Sequence, residues 1–235
     1  SYNPNAPIVI QHLYALAQIC DRNIMIRLVK GAYWDAEIKR TQVLGLAHFP
    51  VYTRKAFTDV SYIACARMLL GMNDRIYAQF ATHNAHTISA ILQLISEQEH
   101  IVNYEFQRLH GMGEALHDIA KNQNLYRCRI YAPVGQHHDL LSYLVRRLLE
   151  NGANGSFVHQ IANLDIPAAQ VAADPITRAE SILNDDALVN ETAVRPAAAL
   201  FSHRHNSHGF DLSRQKVLAQ LQSERDAYWA HSQNL

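Results

Sequence analysis

The chain lacks most of what would place it in a membrane, a nucleic-acid complex or a disulfide scaffold. None of its apolar runs approaches the ~20 residues needed to cross a bilayer. Basic and acidic residues balance at 21 each, so no net field draws nucleic acid or an anionic lipid surface. Cys20, Cys65 and Cys128 are too few and too widely spaced for a disulfide or zinc framework. Set in apolar segments, they are expected to be buried free thiols of a reducing cytosol. The opening segment, Ser1 to Pro7, has neither the basic nor the apolar region of a signal peptide, and no initiator methionine. A cytoplasmic piece of a longer chain is the expectation. There is no Gly-x-Gly-x-x-Gly after a strand-like run, no Ser-His-Asp pattern, no Cys-x-x-Cys and no carboxylate cluster. Hydrolysis by a nucleophile or a metal is therefore disfavoured. Fourteen histidines are present, but His203, His205 and His208 lie in a polar stretch without acidic or cysteine partners, which suits a solvated loop better than a metal site.

What is present is a rhythm. Hydrophobic residues make up 49% of the chain, ample for a core. Four runs have strand character: Ile24 to Lys30, Ile76 to Ala81, Val102 to Gln107 and Cys128 to Ala132. Between and around them, Pro7 to Ile19, Phe57 to Leu70, His86 to Glu97, Gly113 to Lys121 and Asp139 to Glu150 have helical periodicity. Such alternation predicts adjacent parallel strands with helical crossovers, hence an α/β class. A doubly wound sheet shares the rhythm. The missing dinucleotide fingerprint, and chemically capable residues at the end of every strand, favour a (β/α)8 barrel instead. Four strand-helix units are half of one, so an upstream portion is expected elsewhere. After about residue 165 the chain turns rich in Ala and Asp with Asp174-Pro175 and Arg195-Pro196 as breakers, which reads as a linker; Leu212 to Trp229 reads as one more helix.

Several segments carry chemistry. On the helix after the last strand, positions 143, 146, 147 and 150 share one stripe, while Leu141, Leu144, Val145 and Leu148 form the apolar one. Arg146 and Arg147 beside Tyr143 suit a small carboxylate, which arginine grips through two parallel hydrogen bonds. A solvated face is the plainer alternative. In the run Arg27 to Trp34, alternation sets Arg27, Val29, Gly31 and Tyr33 on one face, with Leu28 and Lys30 on the other. Basic groups in an apolar strand need an anion, an electron-rich ligand or an internal salt bridge. Gly31 allows a flat group to approach the backbone. Thr82, His83 and Asn84 open a helix, where amides can take phosphate or ribityl oxygens, or where Asn84 simply caps. Pro50 to Lys55 adds two cations, Arg54 and Lys55, and a hydroxyl as pyrophosphate contacts, or as solvated loop. Leu109 offers an apolar wall. Tyr131 closes the last strand, as cap over a substrate or as core.

Taken in order, these motifs resemble a known family. Arg27 to Asp35 (RLVKGAYWD), Phe80 to Thr87 (FATHNAHT), Glu105 to Gln107 (EFQ), Leu109 to Met112 (LHGM), Arg129 to Gly135 (RIYAPVG) and Tyr143 to Asn154 (YLVRRLLENGAN) look like proline dehydrogenase. More narrowly, they are similar to that domain in the bifunctional bacterial proline utilization A enzymes, over roughly residues 5–165. The resemblance implies a (β/α)8 barrel holding FAD, with oxidation of L-proline to Δ1-pyrroline-5-carboxylate by hydride transfer to the flavin and reoxidation by a quinone. It implies that Arg146 and Arg147 grip the proline carboxylate, with Tyr131 the third catalytic residue. Tyr131, Tyr143, Tyr33 and Leu109 would pack around the ring. Arg27 and Val29 would contact the flavin, with Lys30, Gly31, Ala32 and Trp34 nearby. Thr53, Lys55, Thr82, His83, Asn84 and Glu150 would serve the rest of FAD.

On this resemblance residues 1–165 are the C-terminal half of the barrel, and 166–235 are the linker and helical segment leading toward an aldehyde dehydrogenase module. The full-length protein is expected to be a homo-oligomer that touches the inner membrane face to reach its quinone; neither a metal nor nucleic acid is expected at this segment. The family's early strands, with a substrate-side lysine and aspartate and a flavin-contacting glutamine, have no counterpart here. The alternative is an inactive fragment, or a non-enzymatic binding or interaction module of that protein. Flavin absorbance separates the two.

Overall fold

The four strand-like runs become one parallel sheet in chain order: β1 (Ile24–Leu28), β2 (Ile76–Ala81), β3 (Tyr104–Leu109) and β4 (Cys128–Tyr131). This computed structural model describes residues 1–100, 102–121, 127–152, 172–185 and 194–232, with Asp165, Pro167 and Ala169. Helices α1 (Ala6–Ile19), α2 (Trp34–Val43), α3 (Lys55–Gly71), α4 (Ala85–Ser96), α5 (Glu114–Lys121) and α6 (His137–Gly152) alternate with the strands. They are followed by α7 (Pro175–Leu183), a 3-10 turn (Ala197–Ala199) and α8 (Gln215–Ser232). The parallel α/β architecture expected from periodicity is therefore present. Among the described residues no helix is long and apolar enough to cross a membrane.

Strand alternation divides the sheet into two unlike faces. Leu28, Phe80, Phe106 and Cys128 stand in register on one, beside the row Ile26, Ala78, Tyr104. Leu28, Phe80 and Phe106 are buried, in one core with Ile10 and Ala17 of α1, Tyr62 and Leu69 of α3, and Ile88 and Ile91 of α4. The opposite face carries Met25 beside Tyr77, then Arg27-Gln79-Glu105, then Ala81-Gln107-Arg129, then Leu109-Tyr131. Helices cover the first face because it is apolar; the second is polar and belongs to the inside of a barrel wall.

Strand ends shift from the periodicity for local reasons. The β1 ladder stops at Leu28, and the next carbonyls, Val29 and Lys30, accept instead from Ser1 and Tyr2. Asn103 is drawn off the β3 ladder by donating its backbone N–H to Asn73 Oδ1 at 2.9 Å. The helix α2 has no counterpart among the expected elements. Of the thiols, Cys65 is buried, but Cys20 and Cys128 are exposed, contrary to expectation. Cys20 caps the end of α1, and Cys128 opens an edge strand.

The chain forms two compact units, residues 1–32 with 54–191, and 33–53 with 192–235. Within the first unit α7 packs on α3. Asp174 caps α7, its carboxylate accepting from the N–H groups of Ile176 and Thr177. In the second unit, Gln42 of α2 donates to Arg195 O at 2.8 Å, and Gly209 N–H donates to Gly45 O at 3.0 Å.

Tyr62 ties the first unit together. Fully buried, its hydroxyl lies 3.2 Å from Leu28 O and 3.1 Å from Ala81 O, so one proton serves the ends of both β1 and β2. Burial pushes its phenol far above the ordinary value, which keeps that proton in place. Tyr62→Phe is expected to cost about 1–3 kcal/mol, the penalty for under-satisfied buried carbonyls. Urea unfolding measures it; an unchanged midpoint would show that the carbonyls bond elsewhere.

Candidate functional site

Arg27, at the C-terminal end of β1, is exposed on the polar face. Its guanidinium carbon lies 5.8 Å from the ring centroid of Tyr131, the last residue of β4. The Tyr131 and Tyr143 rings are 6.2 Å apart and tilted by 51°. The Arg147 guanidinium carbon lies 5.3 Å from the Tyr143 ring. Arg27, Tyr131, Tyr143 and Arg147 thus make a continuous cation-aromatic chain across the strand ends, at distances that count as cation–π contact. Leu109 sits in register beside Tyr131 and is half-buried.

Helix α6 is turned the opposite way to a surface helix. Tyr143, Arg146 and Arg147 are half-buried. Leu141, Leu144, Val145 and Leu148 are 61%, 48%, 44% and 71% exposed. The apolar stripe read from the sequence exists, but it does not face this sheet; the polar stripe does. Glu150 lies in the same helix, with its side chain outside the described residues.

Beneath the aromatic chain lies a polar floor that pattern reading left without a role. Glu105 is 5% exposed. Its carboxylate accepts from Arg129 Nε at 2.6 Å and Nη2 at 2.9 Å, Gln79 at 2.8 Å, Gln107 at 3.0 Å and Tyr77 at 3.3 Å. The Arg129 hydrogen bonds hold the Glu105 carboxyl below its usual range. The signal available in the sequence was Glu105 itself, a carboxylate between Tyr104 and Phe106.

The other expected cofactor residues divide into separate places. Lys30 pairs with Asp59 of α3, whose other oxygen takes Lys55 at 2.8 Å, and Lys30 also lies 5.8 Å from the Tyr62 ring. Burial raises the Asp59 carboxyl, but the two ammoniums outweigh it and hold it low; burial draws the Lys30 ammonium down. Asp59 was not picked out from the sequence. Gly31 has φ +125°, and a side chain there would collide with the ring of Tyr2, so the flat group lying against it is the chain's own. Val29 and Ala32 are exposed. Thr82 is buried, its Oγ1 accepting from Asn84 N–H at 3.1 Å. Asn84 caps α4, accepting from Thr87 N–H at 3.0 Å. His83 Nε2 accepts from Leu109 N–H at 3.1 Å, joining the β2 and β3 ends. His117 Nε2 lies 3.0 Å from Thr82 O, and burial lowers its pKa. Tyr33, Trp34 and Thr53 belong to the second unit, where Trp34 Nε1 donates to Tyr52 O at 2.8 Å. Among the described residues no group of three or more His, Cys, Asp or Glu could hold a metal ion.

This geometry offers an exposed cation, a tilted pair of aromatic rings and hydrogen-bonding amides on one face, which suits a flat ligand with anionic character. The family model for proline dehydrogenase matches residues 1–160. The chain is 50% identical over 231 residues to the bifunctional protein PutA of Escherichia coli, covering 95% of this chain and 18% of PutA. It is 31% identical over 157 residues to proline dehydrogenase 1 of Bacillus subtilis, covering 64% of this chain and 46% of that protein. A solved structure of Bradyrhizobium japonicum proline utilization A superposes with a TM-score of 0.84 at 46% identity, over 96% of this chain and 23% of that one. The chain thus spans about a fifth of the length of these PutA relatives. Its four parallel strands alternating with helices correspond to part of the proline dehydrogenase barrel of PutA, and the chain belongs to the proline dehydrogenase family.

Proposed function

We propose that this chain forms the C-terminal half of an FAD-dependent proline dehydrogenase barrel within a longer protein, oxidising L-proline to Δ1-pyrroline-5-carboxylate. The observation that carries the reading is the Arg27-Tyr131-Tyr143-Arg147 chain at the strand ends, with α6 turning its arginines inward. Bound against this face, FAD would supply a two-electron acceptor for proline oxidation, with a quinone as the onward acceptor.

In this reading Arg146 and Arg147 orient proline through its carboxylate, and Tyr131, Tyr143 and Leu109 pack around the ring. Arg27 would contact the flavin ring system, where a fixed cation favours reduction. Val29, Lys30 and Ala32 border the ring system. Lys55, Thr82, His83, Asn84 and Glu150 serve the remainder of FAD. Asn84 and Lys30 act there at most in addition to their roles as helix cap and ion-pair partner. Residues 1–165 belong to the barrel and 166–235 to the connection toward an aldehyde dehydrogenase module. The full-length protein is a cytoplasmic homo-oligomer that meets its quinone at the inner membrane face.

Absorbance of the purified full-length protein near ~450 nm tests the cofactor; a colourless protein that takes up no added FAD would leave a non-enzymatic module. In that protein Arg27→Ala is expected to disturb flavin reduction potential or content more than Lys55→Ala, since Lys55 is exposed and already shares Asp59. Equal, wild-type behaviour of both would remove Arg27 from the flavin.

Replacing Arg146 or Arg147 by Met should mainly raise KM for proline. Loss of a charged hydrogen bond to a buried carboxylate costs about 2–5 kcal/mol, roughly 30- to several-thousand-fold. Turnover at saturation should fall less, if the clamp holds ground and transition state alike. A competitive carboxylate analogue should weaken in parallel, and a neutral analogue should be nearly indifferent. Unchanged affinities would return the arginines to a purely structural role.

A further inference from the structure

The polar floor has a feature beyond holding strands together. An ionised carboxylate only accepts hydrogen bonds, so any side-chain amide touching it must do so through its NH2 group. Gln79 and Gln107 both reach Glu105 Oε1, at 2.8 and 3.0 Å, and each therefore turns its carbonyl oxygen away from the carboxylate. Arg129 reaches both oxygens with a bidentate fork, so the Glu105 charge is matched by one cation. Arg27 stands in the same register row as Gln79 and Glu105, and among the described residues it makes no ion pair. The strand residues of this face therefore carry two cations and one anion, with the surplus charge left on Arg27.

We propose that Glu105 is a positioning residue of the flavin site: it neutralises Arg129, leaves Arg27 as the uncompensated cation among the strand residues of this face, and fixes the Gln79 and Gln107 amides so that they offer carbonyl acceptors. Two acceptors beside one cation suit the N–H edge of an isoalloxazine ring that gains electrons near Arg27. This inference rests on the FAD reading above and assigns a residue through which that site is tuned. A plain sheet-stabilising ion pair is the competing account, and the two differ in what they do to the flavin.

Glu105→Gln, Arg129→Gln and the double variant, made in the full-length flavoprotein and studied at about pH 8, where an unshifted carboxyl is ionised, separate them. Glu105→Gln leaves the Arg129 cation uncompensated and should raise the flavin midpoint potential. Arg129→Gln leaves the carboxylate uncompensated and should lower it. The double variant should return close to wild type. Titration of the apoproteins with FAD should show binding weakened about 2- to 10-fold in Glu105→Gln, since a glutamine no longer dictates which way the neighbouring amides turn. Either single variant decides alone by the sign of its shift, so failure of one to fold leaves the other informative. Potentials unchanged, or shifted in the same direction by both variants, with flavin bound, would overturn the proposal and leave a structural pair. A wild-type protein that binds no FAD would instead defeat the cofactor reading first, and this inference with it.

Discussion

Period-two alternation along four parallel strands is the constraint on which the first unit depends. It sends Leu28, Phe80 and Phe106 to one side and Arg27, Gln79, Glu105, Gln107 and Arg129 to the other. The apolar side is closed by α1, α3, α4 and α5, whose buried residues join its core. The polar side has no such cover from these helices, so its groups must satisfy one another. Glu105 is the extreme case, because a buried carboxylate without partners would cost several kcal/mol. Five hydrogen bonds from four side chains answer that cost. The same arrangement leaves the strand ends above it chemically loaded.

Helix α6 shows the other half of the logic. A helix at the edge of a finished domain hides its leucines and shows its charges. Here Leu148 is 71% exposed while Arg146 and Arg147 are half-buried. Contiguous exposed apolar surface marks a place where something else packs. A closing barrel would supply that cover, which is why this helix supports the reading of a chain that works inside a longer protein.

The fold was legible because alternation, helical periodicity and the order of elements all point the same way. Arg27, Tyr131, Tyr143 and Arg147 were legible because basic and aromatic residues stand out at strand and helix ends. What escaped was pairing across the sequence. Nothing local joins Lys30 to Asp59 or Glu105 to Arg129, because those partners meet only once the crossovers are folded. Ends of strands were misjudged where side chains and terminal amides compete for the ladder, as at Asn103 and Val29. The helix α2 was hidden because Trp34 to Val43 follows a motif that reads as loop chemistry, although Asp35 and Glu37 in its first turn favour a helix N-terminus. Gly31 was read as room for a ligand, whereas Tyr2 fills that room.

Charge pairing finally discriminates among basic residues that composition treats alike. Arg129 is committed to Glu105, and Lys30 and Lys55 share Asp59, so most of their charge is answered within the protein. A cation already paired through short hydrogen bonds has little left to give a ligand, since binding would require breaking a partly buried pair. Lys30 is in that position, and holding α3 against the end of β1 is the role its geometry favours. Arg27 differs. It is exposed, its guanidinium lies over the Tyr131 ring, and no carboxylate among the described residues answers it. A guanidinium kept in that state keeps its attraction for an incoming anionic or electron-rich group. The committed pairs therefore do more than stabilise: by neutralising Arg129, Lys30 and Lys55 they leave Arg27 as the cation of β1 open to a ligand.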